Sequence, residues 1–266
     1  MKQMILNSSG NCGKSTITGL IAPLMEDTQI IEVETVNKGN SEVKSLNVFK
    51  FKAGDNFEKL YENLMMNENV IIDIGASNLG NFWEQLAEYG SITDLIDRFI
   101  IPTTGDEKIQ TDTAKVVNFL LSQDIEKDKI KVLFNRTNDV KTDFGMLIKA
   151  LKSLGLTVDE TIYLKDTQIF KELGFLRKTL DEVYHQDIKH YTALMLSEKD
   201  KQKKGVFLKS DLINRMAHKI KDDVDYIFEA LTGMKPIKTE TVSSTEEIKE
   251  EDSNEEPSET ETEEDF

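Results

Sequence analysis

The 266-residue sequence predicts an α/β fold, a doubly wound and mostly parallel sheet followed by C-terminal helices and an acidic tail. Three observations predict it. Short apolar runs alternate with stretches of helical periodicity up to about residue 165. Four of those runs carry almost no polar residue, as strands covered on both faces do. Beyond that point the strand signal stops and only helical periodicity continues.

Taken in order, Met4-Ile5-Leu6 is the first strand run, and Ile17 to Leu24 reads as a helix. Ile30 to Val33 and Val48 to Phe51 are the next two strands. Phe57, Leu60, Tyr61, Leu64 and Met65 follow the i, i+3, i+4 spacing of a helix face. Val70 to Ile74, Phe99 to Ile101, Val132 to Phe134 and Thr161 to Leu164 are further strands. Helical faces at Val116, Val117, Leu120 and Leu121, and at Phe144, Leu147, Ile148 and Leu151, separate the last three. Right-handed crossovers place such helices on both sides of a parallel sheet. Past residue 165, helices are expected around Phe170–Leu173, Leu176–Tyr184 and Ile188–Met195. A longer one runs from about Leu208 to Leu231, with Leu212-Ile213, Met216, Ile220, Val224, Ile227-Phe228 and Leu231 on one face. Ser197 to Gly205, rich in lysine, reads as a solvated loop.

The formal net charge is -16, and residues 239–266 hold 13 acids and one lysine. The body is therefore only mildly acidic. A segment so poor in aliphatic residues cannot bury enough apolar area to offset its ordering entropy. Residues 1–235 are thus expected to form one domain and 236–266 a disordered tail. The single cysteine, Cys12, excludes an intramolecular disulfide and a cysteine-rich zinc site, and fits a reducing cytosol. No apolar run approaches 18 residues, and the N-terminus is too weakly apolar for a signal peptide, so a soluble intracellular chain is expected.

The informative stretch is Asn7-Ser8-Ser9-Gly10-Asn11-Cys12-Gly13-Lys14-Ser15-Thr16, set between the first strand and the first helix. That context marks a phosphate-binding loop. Gly10 and Gly13 let the backbone turn its N–H groups on an anion, and the helix N-terminus adds partial positive charge. Lys14 is expected to reach the β- and γ-phosphates, and the Ser15 hydroxyl to ligate Mg²⁺. Ser8 stands where the usual pattern has its first glycine.

Ligands of parallel sheets bind at the carboxyl ends of the strands. Asp73 ends the Val70 run, where an acid holds magnesium through water. Glu32 and Glu34 end the second strand on one face, and Glu34 is the candidate for placing an attacking water. Asn135 and Arg136 follow the sixth run, where an amide pairs with a nucleobase edge. Each of these polar residues also serves a turn or strand end without any ligand.

From residue 1 to about 180 the chain resembles the ParA/MinD group of deviant Walker A P-loop ATPases, and is most similar to StbB-like plasmid stability proteins. The resemblance rests on Asn7–Thr16, Glu32-Val33-Glu34, Val70–Ser77, Ile101-Pro102-Thr103 and Phe134-Asn135-Arg136. It implies ATP and Mg²⁺ as cofactors, Ser9 through Thr16 with Asn135 and Arg136 around the nucleotide, and Ser15 with Asp73 at the metal. Also implied are an ATP-bound homodimer, a small DNA-binding adaptor protein as partner, and a role in plasmid stability or partition, with a link to conjugation. Ser9 stands at the family's signature lysine, Asn11 at a loop glycine, and Glu32 and Glu34 at two aspartates. Losing that lysine implies weak or partner-dependent hydrolysis.

Clustered lysines between Lys199 and Lys221 would contact DNA phosphates without reading sequence, and the polar face of a helix would look the same. The acidic terminus disfavours a membrane. The expected location is the bacterial cytoplasm, on the nucleoid where DNA is bound. Two rivals remain: a nucleotide-binding adaptor without hydrolysis, and a small-molecule kinase or ligase of the dethiobiotin synthetase type. The latter needs a cluster of arginines, and Arg98, Arg136, Arg177 and Arg215 are scattered in sequence.

Overall fold

The structure, a computed structural model, describes residues 1–33, 39–52, 57–89 and 92–237. All seven expected strands form: β1 (Lys2–Ile5), β2 (Gln29–Val33), β3 (Asn47–Phe51), β4 (Val70–Ile74), β5 (Arg98–Thr103), β6 (Ile130–Asn135) and β7 (Tyr163–Leu164). They pair in parallel in the order β3-β2-β4-β1-β5-β6-β7. The chain winds outward from β1 in both directions. The carboxyl end of β1 is therefore where a doubly wound sheet opens its ligand crevice.

The nearly unbroken apolar runs are explained by alternation. Met4, Ile31, Ile72 and Phe99 point into one core, and their neighbours Ile5, Ile30, Ile71 and Ile100 into the other. The first core is roofed by α2 (Phe57–Met66), α3 (Leu79–Glu88), α4 (Glu107–Ser122) and α5 (Val140–Ser153). The second is roofed by α1 (Lys14–Ile21), α6 (Ile169–Leu176), α7 (Leu180–Tyr184) and α9 (Lys201–Thr232). Between α7 and α9 lies α8 (Ile188–Ser197).

Three expectations need correction. The sequence reading passed over α3, although Leu79, Phe82, Trp83 and Leu86 are buried at helical spacing. The lysine-rich stretch ending at Gly205 is largely helical, not a loop. Asp200 accepts hydrogen bonds from the amides of Gln202 (2.8 Å) and Lys203 (3.0 Å), and this cap starts α9 seven residues before Leu208. Of the pair Leu212-Ile213 expected on the buried face of α9, Ile213 is buried and Leu212 is 57% exposed, because the face runs through Ile213 and Ala217. At the end of the described residues the Ile237 amide donates to Leu24 O (3.1 Å). The rest of the expected disordered tail, 238–266, lies outside the described residues. Among the described residues no helix is long and apolar enough to cross a membrane.

Phe228, on α9, is fully buried in the second core, and Met146, on α5, is 78% exposed. Phe228→Ala should lower unfolding stability by about 3–5 kcal/mol. Met146→Ala should change it by less than about 0.5 kcal/mol. Urea unfolding followed by circular dichroism measures both.

Candidate phosphate-binding site

The segment after β1 climbs from Leu6 to Gly13 and feeds directly into α1. Two residues turn it with positive φ, Asn11 (56°) and Gly13 (99°). Asparagine is among the few side chains that tolerate this region, so Asn11 does the work expected of a glycine. Gly10 has nothing within 4 Å of where a Cβ would sit, so no close approach requires a glycine there. Gly13 is different: a Cβ on it would lie 2.2 Å from Asn135 Nδ2.

Gly13 is also the N-cap of α1 and offers no side chain to its amides. By contrast α4, α5, α7, α8 and α9 each start on an Asp or Thr whose side chain accepts from the first turn. The first turn of α1 thus presents N–H groups that nothing in its cap satisfies, beside the loop.

Lys14 folds back into the loop. Its Nζ donates to Ser9 O (2.9 Å) and Asn7 O (3.3 Å), and lies 3.7 Å from Cys12 Sγ. The residue is 8% exposed. Among the described residues no carboxylate forms an ion pair with it. A buried ammonium with only neutral partners is costly unless an anion is its working partner. Burial pushes the Cys12 thiol up, and Lys14 pulls it only part of the way back, so the residue beside the ammonium is a neutral thiol.

The loop floor is fastened to the far side of β1. Fully buried Asn7 donates from Nδ2 to Pro102 O and to Thr113 Oγ1 (2.9 Å each), and its Oδ1 accepts from the Ser9 amide (3.0 Å). Ser9 Oγ donates to Asp112 Oδ2 (2.7 Å). Asp112, on α4, is flanked by Lys115 (3.2 Å) and Lys108 (3.3 Å). The Ser9 hydroxyl, helped by these lysines, holds the Asp112 carboxyl down at about 2.

At the neighbouring strand ends two carboxylates stand side by side, since Glu32 pairs in register with Asp73. Both are buried. Burial, reinforced by the Asp73 charge, raises the Glu32 carboxyl above its usual range. Glu32 Oε1 accepts from the Asn40 amide, while Oε2 is buried without a hydrogen bond among the described residues. Asn40 in turn donates from Nδ2 to Ser15 O (3.0 Å). One residue therefore clips the second strand's acid to the first turn of α1. Two buried carboxylates in register, with Glu32 Oε2 lacking a donor among the described residues, are oxygen groups of the kind a hard divalent cation takes.

Asn135, at the end of β6, is 3% exposed and donates from Nδ2 to Cys12 O (2.9 Å). Its amide is engaged by the phosphate loop. Arg136 follows with φ 57° and is exposed.

The fold thus brings Ser9 through Thr16, Asp73 and Asn135 to one end of the sheet. Glu34 lies outside the described residues. Asn40 and Asp112 were missed by sequence reasoning. Asp112 left a signal, the lysines three and four residues away on one helix face; Asn40 left none. In the Lys199–Lys221 region, Lys209 pairs with Glu172 (3.0 Å), Arg215 with Asp211 (2.7 Å) and buried Lys221 with Asp225 (2.5 Å). The exposed cations are concentrated in the first turn of α9, at Lys201, Lys203 and Lys204.

No protein-family model and no curated protein matches the sequence. Among solved structures, the chain is similar to the MinC:MinD cell division protein complex of Aquifex aeolicus. Identity is 15%, with 82% of this chain and 95% of that one covered, at a TM-score of 0.50. It is also similar to the cell division ATPase MinD of Pyrococcus furiosus, at 10% identity over 81% of this chain and 98% of that one, TM-score 0.45. A third is the ParA family ATPase of Chlorobium tepidum, at 13% identity over 82% and 98%, TM-score 0.44. At these identities the likeness concerns the fold, and the argument for it rests on the Aquifex structure. It agrees with the α/β architecture expected from the strand runs.

Two outcomes follow from the geometry. Gly13→Ala should destabilise the fold, and less so in an Asn135→Ala background, because removing the amide relieves the clash but not the φ strain; a double-mutant cycle in urea measures this. The depressed Asp112 carboxyl contributes stability in full above its unfolded value of about 4. That contribution disappears as pH falls toward about 2. Ser9→Ala should move the Asp112 midpoint upward, read by carboxyl-carbon NMR.

Proposed function

We propose that this chain is a nucleotide switch of the ParA/MinD type, binding Mg-ATP on the loop after β1 and hydrolysing it slowly. The observation that carries the reading is the Lys14 ammonium. It is buried inside the turn with two carbonyls and a neutral thiol as its partners, next to an uncapped helix and at the crevice of the sheet. A triphosphate would draw Lys14 from Ser9 O and Asn7 O and offer it charge instead of dipoles. The loop amides and the start of α1 would hold the β-phosphate. Ser15 and Asp73 would hold Mg²⁺, which when bound neutralises charge between the phosphates. Asn40 would keep the Ser15 turn and the Glu32 strand end in register. Glu34 is the proposed residue for orienting water.

Slow turnover is supported by Ser9. Its hydroxyl is committed to Asp112 and it brings no cation to the phosphates. The same contact favours a second reading, an adaptor that binds nucleotide and does not turn it over. As a switch, the chain would form an ATP-bound homodimer and act in plasmid stability or partition, in the cytoplasm or on the nucleoid. It would work with a small DNA-binding adaptor and touch DNA phosphates through Lys201, Lys203 and Lys204.

Calorimetry should show Mg-ATP binding to the wild-type chain and at least ~100-fold weaker binding to Lys14→Ala, a loss of roughly 2.7 kcal/mol or more. No heat with either chain at millimolar nucleotide would sink the reading. Phosphate release, with and without DNA, no faster than that of Lys14→Ala would leave the adaptor.

A further inference from the structure

Beside the first turn of α1 lies a cleft of about 220 Å³ that adjoins the proposed nucleotide site at Ser15 and Thr16 and extends away from it toward α6 and α7. One wall is α1 with Ser15, Thr16 and Leu20; the opposite wall is the α6–α7 corner. Its floor is aliphatic and aromatic, including Val43, Leu46 and Leu173. Its rim carries two cations, Arg177 and Lys178, and one acid, Glu42. Arg177, at the end of α6, pairs with Glu42 across the cleft (3.5 Å). The neighbouring Lys178 is exposed, and among the described residues no acid pairs with it. An apolar floor under a positive rim suits a segment with an aliphatic side chain among acids.

This chain carries such a segment. Residues 240–252 hold Glu240, Glu246, Glu247, Glu250, Glu251 and Asp252, with Ile248 the sole aliphatic residue between 243 and 265. Where the chain leaves the body matters as much. The Ile237 amide is fixed to Leu24 O, at the far end of the α1 segment. Along that helix Leu20 is about 6 Å away and Ser15 about 14 Å, at 1.5 Å per residue. The 11 residues from Ile237 to Ile248 span up to about 36 Å when extended. The lysines that open α9 are a farther target, about 42–47 Å from its end at Thr232 by the same rise.

We propose that the acidic segment 240–252 docks in this cleft, Ile248 on the floor and its glutamates on Arg177 and Lys178. Docked there, it places negative charge beside the Ser15 turn and opposes a nucleotide triphosphate. This second consequence rests on the function proposed above; the docking does not.

The test is zero-length carbodiimide coupling of the full-length protein without nucleotide, mapped by mass spectrometry. Lys178 should be the main lysine joined to carboxylates of 240–252, within one chain. Ile248→Asp keeps every carboxylate and removes the anchor; it should cut that link at least ~5-fold. The substitution lies outside the described body and leaves its core untouched. Equal yields in the two proteins, links mainly to Lys201–Lys204, or links only between chains would overturn the docking. Mg-ATP should then lower the Lys178 link, and Ile248→Asp should bind Mg-ATP about 3–10-fold more tightly. An unchanged link at saturating Mg-ATP would overturn the opposition alone. A chain that docks its tail but binds no Mg-ATP would refute the proposed function and leave the docking standing.

Discussion

The arrangement at the carboxyl edge of the sheet depends on one buried charge. An ammonium surrounded by carbonyl oxygens and a thiol is tolerable only because the loop is held in a shape that points those oxygens inward. That shape has three fixings. Asn7 ties the loop floor to Pro102 and Thr113, Ser9 ties it to Asp112, and Asn135 ties its upper end through Cys12. The fixings come from β5, α4 and β6, all on the β5–β6 side of β1, and α4 serves two of them. The parallel order of the sheet is what brings them within reach.

On the other side of β1 the logic is reversed. There the sheet concentrates negative charge, with Glu32 and Asp73 in register and both buried. Asn40 bridges this acidic strand end and the start of α1. The site is thus polarised: a cation inside the loop, acids across the crevice, and uncapped amides between them. Such a separation of charge is unfavourable within a fold left to itself. It becomes favourable when a polyanion and a divalent cation bridge its two halves.

Most of the fold was legible because a parallel sheet writes itself as uninterrupted apolar runs. Ile71-Ile72 and Ile30-Ile31 are each split between two cores, so neither face tolerates a polar side chain. The loop was legible because Gly13-Lys14-Ser15 sits between such a run and a helix. What escaped was tertiary. Asn40 is an ordinary turn residue until the backbone brings it to Ser15 and Glu32. Ser9 reads as a missing lysine until Asp112, 103 positions later, shows what holds it. The start of α9 was misread because lysines outweighed the cap at Asp200, whose effect is local and easily masked by composition.

The anchoring of Ile237 on Leu24 has a mechanical meaning. The short helix after the loop, α1, ends at Ile21, and one 3-10 turn, Ala22–Leu24, carries the chain on to the point where Ile237 is fastened. A pull on Ile237 would reach that segment at the end away from the loop, and α1 itself is a rod only about 12 Å long. A pull and a bound anion would then act on opposite ends of the same strut.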